Sequence, residues 1–86
     1  MSTDYGRAVE GYVEIVRSRI GDLLDVADLG VDENLFSVGG DSMSAIKLAW
    51  RLAEETGLHV DPAEDIMLDA TARAIGERLA MRSVSD

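Results

Sequence analysis

Apolar residues recur in this chain at helical spacing, and no segment alternates with period two over strand length; that pattern confines it to an all-α fold. Val9, Tyr12, Val13, Val16 and Ile20 follow i, i+3, i+4, i+7, i+11 and mark one buried face of a first helix, from about Asp4 to Ile20. Thr3 or Asp4 is placed to cap it, and Gly21 stands where a helix stops. Ala45, Leu48, Ala49 and Leu52 make the core stripe of a second helix, Ser42 to Thr56, with Gly57 as its left-handed end and Leu58 as the accompanying apolar contact. Asp61-Pro62-Ala63-Glu64 opens a short third helix that ends near Leu68, with Asp61 as N-cap, Pro62 at N1 and Glu64 completing a capping-box-like pattern. Thr71 caps a last helix, in which Ala72, Ile75 and Leu79 are buried, to about Arg82.

The 86 residues suffice for one domain, spanning 1–86. Residues 21–41 show no sustained period, and a loop of that length inside a compact domain is commonly functional. Leu23, Leu24, Val26, Leu29, Val31, Leu35, Phe36 and Val38 are available to pin it to the core, and Asp32 can start a short turn through Phe36. The expected architecture is a four-helix bundle with a short third helix and a long loop between the first two helices.

Charge and composition remove whole classes of function. The net charge of −9 argues against nucleic acid, whose binding draws on basic groups, and against an anionic membrane surface. No cysteine is present, which excludes disulfides, thiolate metal sites and a cysteine nucleophile. One histidine, His59, is little material for a zinc site, and it reads as a linker residue after the second helix. Apolar runs do not exceed three residues, as in Leu48–Trp50, and the N-terminus lacks the basic and apolar regions of a secretory signal. A cytoplasmic monomer is the expectation. Asp22, Asp25, Asp28, Asp32 and Glu33 fail the EF-hand spacing and read as a solvated acidic surface.

The chemically informative stretch is Leu35-Phe36-Ser37-Val38-Gly39-Gly40-Asp41-Ser42-Met43. Paired glycines allow a sharp turn and a close backbone approach. A hydroxyl then stands in the first turn of a helix, where orphan N–H groups and the macrodipole favour an anion. Ser42 is therefore placed to carry a phosphate-linked group, with Asp41 as the cap that leaves its hydroxyl free. Taken alone, Ser42 would more often be the N-cap itself. A nucleophile elbow is a poor fit, because Ser44 rather than Gly follows Met43 and no strand precedes the turn.

The segment FSVGGDSMSAIKLAWRL resembles the phosphopantetheine attachment segment of acyl and peptidyl carrier proteins, above all the thiolation domains of nonribosomal peptide synthetases. The resemblance runs from about Val13 to Leu79 and includes VDENLF before the glycines. It implies that Ser42 takes 4′-phosphopantetheine from coenzyme A, with Gly39, Gly40 and Asp41 as its site neighbours. The thiol of that arm would hold an aminoacyl or peptidyl group as a thioester, which suits a chain with no thiol of its own. Implied partners are a phosphopantetheinyl transferase, an adenylation enzyme, and a condensation, tailoring or thioesterase enzyme; the chain itself would not be an enzyme. Leu35, Ser37 and Val38 stand where the family often has Phe, Asp and Leu, Met67 takes an aromatic position, and Ala70 replaces a frequent Pro.

A second apolar stripe on the second helix, Met43, Ile46 and Trp50, points away from the first. The two stripes nearly encircle the helix, more than a small bundle can bury, so Met43, Ile46 and Trp50 are expected to dock partners, with Lys47 and Arg51 flanking them and Met67 joining them. The competing reading makes Trp50 extra core. The basic pair leans toward the peptidyl type, and the short flanks with Met1 suggest a free-standing carrier. An acyl or D-alanyl carrier is the alternative within the class; an unmodified acidic helical adaptor is the alternative outside it.

Overall fold

The apolar stripe of the first segment winds it into α1 (Ser2–Leu24) in the computed structural model, which describes the backbone of residues 2–85 and the side chains of residues 5–84. Val13, Val16 and Ile20 are buried on its inner face, and Val9 and Tyr12 pack partly buried beside them. Both ends differ from expectation. The helix already includes Thr3 and Asp4, so neither is its cap, and their side chains lie outside the described ones. At the other end it runs through Gly21 to Leu24. The residue that leaves the helical conformation is Asp25, with φ 58°, a left-handed position that Asp tolerates better than most side chains. The Val26 N–H then folds back onto the Gly21 carbonyl at 2.9 Å, a Schellman-type ending. Gly21 serves this return by its smallness, since a Cβ there would stand 2.9 Å from the Val26 oxygen.

The second stripe folds as expected into α2 (Ser42–Thr56), burying Ala45, Leu48, Ala49 and Leu52. Gly57, at φ 74°, ends it with an N–H donated to the Ala53 carbonyl, and Leu58 packs against the core.

Pro62–Met67 follow as a short π-helix. The Asp61 carboxylate caps it by accepting from the Ala63 and Glu64 N–H groups at 2.8 and 3.0 Å. The residue that reaches back to the Asp61 N–H is Asp65, at 2.8 Å, and not the expected Glu64, which is exposed. A π-wound turn spends more residues per turn than an α-helical one, so the reciprocal carboxylate falls one position later.

Asp65 is also the one buried charged residue among those described, 3% exposed, and it takes both guanidinium nitrogens of Arg82 at 2.7 and 3.0 Å. The same Arg82 donates to the His59 carbonyl at 2.6 Å, so this cluster ties the π-helix and its approach to the last helix. Arg82 holds the Asp65 carboxyl below its usual range against the opposing effect of burial. A carboxyl depressed in the folded state stabilises above its unfolded pKa, about 3.9, and loses that contribution as pH falls through the folded value. Asp65→Asn should therefore cost about 1–3 kcal/mol at neutral pH. In urea titrations the gap from wild type should stay constant down to about pH 5 and narrow only under more acid conditions.

Thr71 caps α3 (Ala72–Ser85) by accepting the Ala74 N–H at 3.1 Å, and the helix continues one turn beyond the expected Arg82. Ile75 and Leu79 are fully buried against α1. The two helices come close together at Gly76, where a Cβ would lie 2.6 Å from the Val13 Cα, N and Cγ2. Backbone atoms cannot move aside as a side chain can, so Gly76→Ala must push α3 off α1. A cost of about 1–3 kcal/mol is expected, with a lowered thermal midpoint, although Ala favours helix. An unchanged or raised midpoint would show that the two helices separate freely.

The 25–41 segment is held at several points to the start of α3. The Leu35 N–H donates to the Ala70 carbonyl at 2.8 Å, the Arg73 N–H to the Val31 carbonyl at 3.0 Å, and Asn34 and Thr71 form an isolated antiparallel bridge. Arg73 pairs with Asp32 at 2.7 Å, and Glu33 accepts the Gly30 N–H at 2.6 Å. Leu29 and Leu35 are its buried anchors, with Val26, Val31 and Val38 partly buried beside them. Phe36, expected to pin the loop as well, is 39% exposed. Its neighbour Leu35 takes the inward position, and the turn closed by the Asn34 side chain on the Phe36 N–H sends the ring outward.

Candidate attachment site at the start of α2

Leu35 is the floor on which the glycine pair is built. The Gly40 N–H donates to the Leu35 carbonyl at 2.9 Å, and a Cβ on Gly40 would lie 2.7 Å from Leu35 Cγ and 2.8 Å from its Cδ1 and carbonyl oxygen. Gly39 has open space around it but φ 110°, which L side chains rarely adopt. The two adjacent glycines thus answer different demands, conformation at Gly39 and close approach at Gly40.

Asp41 leaves that turn in an extended conformation, φ −139° and ψ −173°, and caps α2. Its Oδ1 accepts the Ser44 N–H at 2.9 Å and the Ser44 hydroxyl at 3.0 Å. These two bonds, the backbone one foremost, hold the exposed Asp41 carboxyl below its usual range against a slight loss of hydration, and the Lys47 charge adds to them. The expected anion at this helix terminus is therefore supplied by the chain itself. The consequence falls on Ser42: it is exposed, and among the described residues no hydrogen bond engages its hydroxyl. Ser42 is the first residue of the helix and not its cap. A free primary hydroxyl stands on a rigid terminus, clear of the core, where an external enzyme can reach it.

The second stripe of α2 is exposed: Met43 59%, Ile46 43% and Trp50 73%, so Trp50 is not core. At about 100° per residue these three lie within roughly 60° of one another, opposite the buried stripe. Lys47 and Arg51 lie along one edge of them, both exposed. Met67 sits on the π-helix, half-buried, and packs against the core. Its neighbour Leu68 is 74% exposed, which sequence reading did not single out. The run Ile66-Met67-Leu68 is apolar throughout, and only the winding of the turn decides which of the three is turned out.

A helical bundle that presents an unengaged serine at a glycine-framed helix start defines a carrier-type domain. The chain belongs to the phosphopantetheine attachment site family, whose model matches residues 14–79. Members carry a covalently attached 4′-phosphopantetheine and are not themselves enzymes. The residues here suit that group: the hydroxyl is free, the neighbouring glycines add no side chain, and the helix end is already capped. The chain is also similar to CymA, a probable nonribosomal peptide synthetase of Salinispora arenicola (strain CNS-205), at 33% identity over 72 residues. That match takes in 84% of this chain and 1% of that protein, so the chain corresponds to one small part of its relative. No solved structure matches it significantly. Among the described residues, no helix is long and apolar enough to cross a membrane.

Proposed function

We propose that Ser42 is the attachment residue and that the arm it bears carries an aminoacyl or peptidyl group as a thioester. The observation that carries the reading is the unengaged Ser42 hydroxyl, freed because Asp41 caps the helix through Ser44. In the priming step the Ser42 Oγ attacks the phosphorus next to the pantetheine half of coenzyme A. A phosphodiester forms, the bond to the adenosine bisphosphate half breaks, and the hydroxyl proton passes to a base on the phosphopantetheinyl transferase. An adenylation enzyme then loads the thiol, and a condensation, tailoring or thioesterase enzyme receives the cargo. Similarity to a nonribosomal peptide synthetase supports the aminoacyl or peptidyl cargo. The exposed Met43, Ile46 and Trp50 face, with Lys47 beside it, is the docking surface in this reading, which also assigns Met67 of the π-helix to it.

Incubation with coenzyme A and a transferase, followed by intact-mass measurement and peptide mapping, tests the assignment. One phosphopantetheine should appear, on the peptide containing Ser42. Modification mapped to another serine would overturn the site. A panel of amino acids offered to the holo form with ATP and an adenylation enzyme then reads the cargo as a further mass gain.

A further inference from the structure

Two large apolar side chains on α3 have no part in carrying a thioester: Met81 and Val84, each 58% exposed. Met81 stands in an open recess of about 950 Å³ whose floor is the outer side of α3. Ala74, Glu77, Arg78 and Met81 line it at i, i+3, i+4 and i+7, and so share one face, turned away from buried Ile75 and Leu79. Tyr5 and Val9, one turn apart on α1, make one wall; Asp65 of the π-helix and Asp69 just after it make the other. Among the described residues, α1 and the π-helix both pack against α3 and not against each other, which leaves the trough between them open.

The charges of the trough select its occupant. Its cations are turned onto the chain itself: Arg82 pairs with Asp65, and Arg78 donates to the Asp65 and Asp69 carbonyls at 3.0 and 3.3 Å. The carboxylates of Asp69 and Glu77 are exposed, and neither forms an ion pair among the described residues. An apolar floor with carboxylates as its outward charge fits a segment with apolar side chains on one face and Lys or Arg at the edges. A trough along a helical ridge is a form in which proteins receive an amphipathic helix. The net charge of −9 draws a basic segment from a distance as well. No residue of α2 lines the trough, so an occupant there can leave Ser42 and the Met43, Ile46 and Trp50 face uncovered. We infer that the outer side of α3 is a second docking site, which receives a basic amphipathic helix of a partner protein and holds the carrier while successive enzymes act at Ser42. The docking site stands independently of Ser42, and only its holding role rests on Ser42 being the attachment residue.

The probes are two short synthetic helical peptides with Leu at i, i+3, i+4 and i+7, one with Lys and one with Glu at the flanking positions. Backbone amide shifts of the full chain show where each binds. The Lys peptide should shift the amides of Tyr5, Val9 and residues 74–81, and the Glu peptide should bind at least about fivefold more weakly. Added salt should weaken the Lys peptide. In the double variant Asp69→Lys, Glu77→Lys the order of the two peptides should reverse. Both side chains are exposed and outside ion pairs, so the melting curve of that variant should stay close to wild type. Saturating Lys peptide should leave the rate of phosphopantetheine transfer unchanged. Shifts confined to the Met43, Ile46 and Trp50 face, no binding of the Lys peptide, or a peptide order untouched by the reversal overturns the docking site. Transfer blocked at saturation, or a wild type that accepts no phosphopantetheine, overturns the holding role; only the second of these also sinks the Ser42 reading.

Discussion

Ser42→Ala should leave the domain folded and abolish its modification. The two halves of that expectation have separate physical grounds. Modification needs an accessible hydroxyl at the glycine-framed helix start, and Ser42 supplies it while the nearby Ser44 hydroxyl is engaged by Asp41. Stability does not need it, because the cap belongs to Asp41, whose carboxylate holds the Ser44 N–H. Replacing a true N-cap by Ala costs about 0.5–2 kcal/mol, but a first-turn serine exchanged for the best helix former should cost less than that. Helical circular dichroism and the thermal midpoint should match wild type within a few degrees, while intact mass shows no added group. Ser37→Ala, also exposed, should still be modified. A phosphopantetheine found on the Ser42→Ala protein would refute the assignment.

Leu52→Ala should be the opposite kind of variant, severe for the fold. Leu52 is fully buried in the inner stripe of α2, with Ala45, Leu48 and Ala49. Truncating a leucine at such a position removes its transfer free energy and leaves a cavity, together about 2–5 kcal/mol. A domain of this size has about 5–15 kcal/mol in all, and each kcal/mol moves its midpoint by about 4–8 °C. A fall of at least about 10 °C is the expected calorimetric result. Trp50, two residues earlier and larger, lies on the other side of the helix, and Trp50→Ala should change stability by only about 0.5 kcal/mol. A near-zero shift for Leu52→Ala, or a collapse for Trp50→Ala, would mean that the two faces of α2 had been exchanged.

Those faces are legible in the sequence because a helix turns its residues by a fixed angle. Two apolar stripes on one helix exceed what a small bundle buries, so one must be left out; which one is decided by the neighbours. The same regularity made Asp61, Thr71 and Gly57 legible, since caps depend on residues within a few positions of each other. The failures lie where local and tertiary demands diverge. Gly21 looks like a helix stop by composition, yet it is helical and small for the sake of the Val26 carbonyl. Glu64 has the capping-box spacing of an α-helix, and the wider π turn gives the role to Asp65.

The site divides along the same line. Sequence determined that a serine would follow a glycine pair and an aspartate at a helix start, because glycine, capping and helical period are local properties of the chain. It also determined the buried stripes of α1, α2 and α3, and with them the helical class. Only the tertiary structure decided why each glycine of the pair is needed: Gly40 because buried Leu35 lies against it, Gly39 because the turn above that contact demands a positive φ. It likewise decided that Gly76 is a contact point with Val13, and that Asp65 is paired with Arg82. Such distances are set by parts of the chain far apart in sequence, and no local period carries information about them.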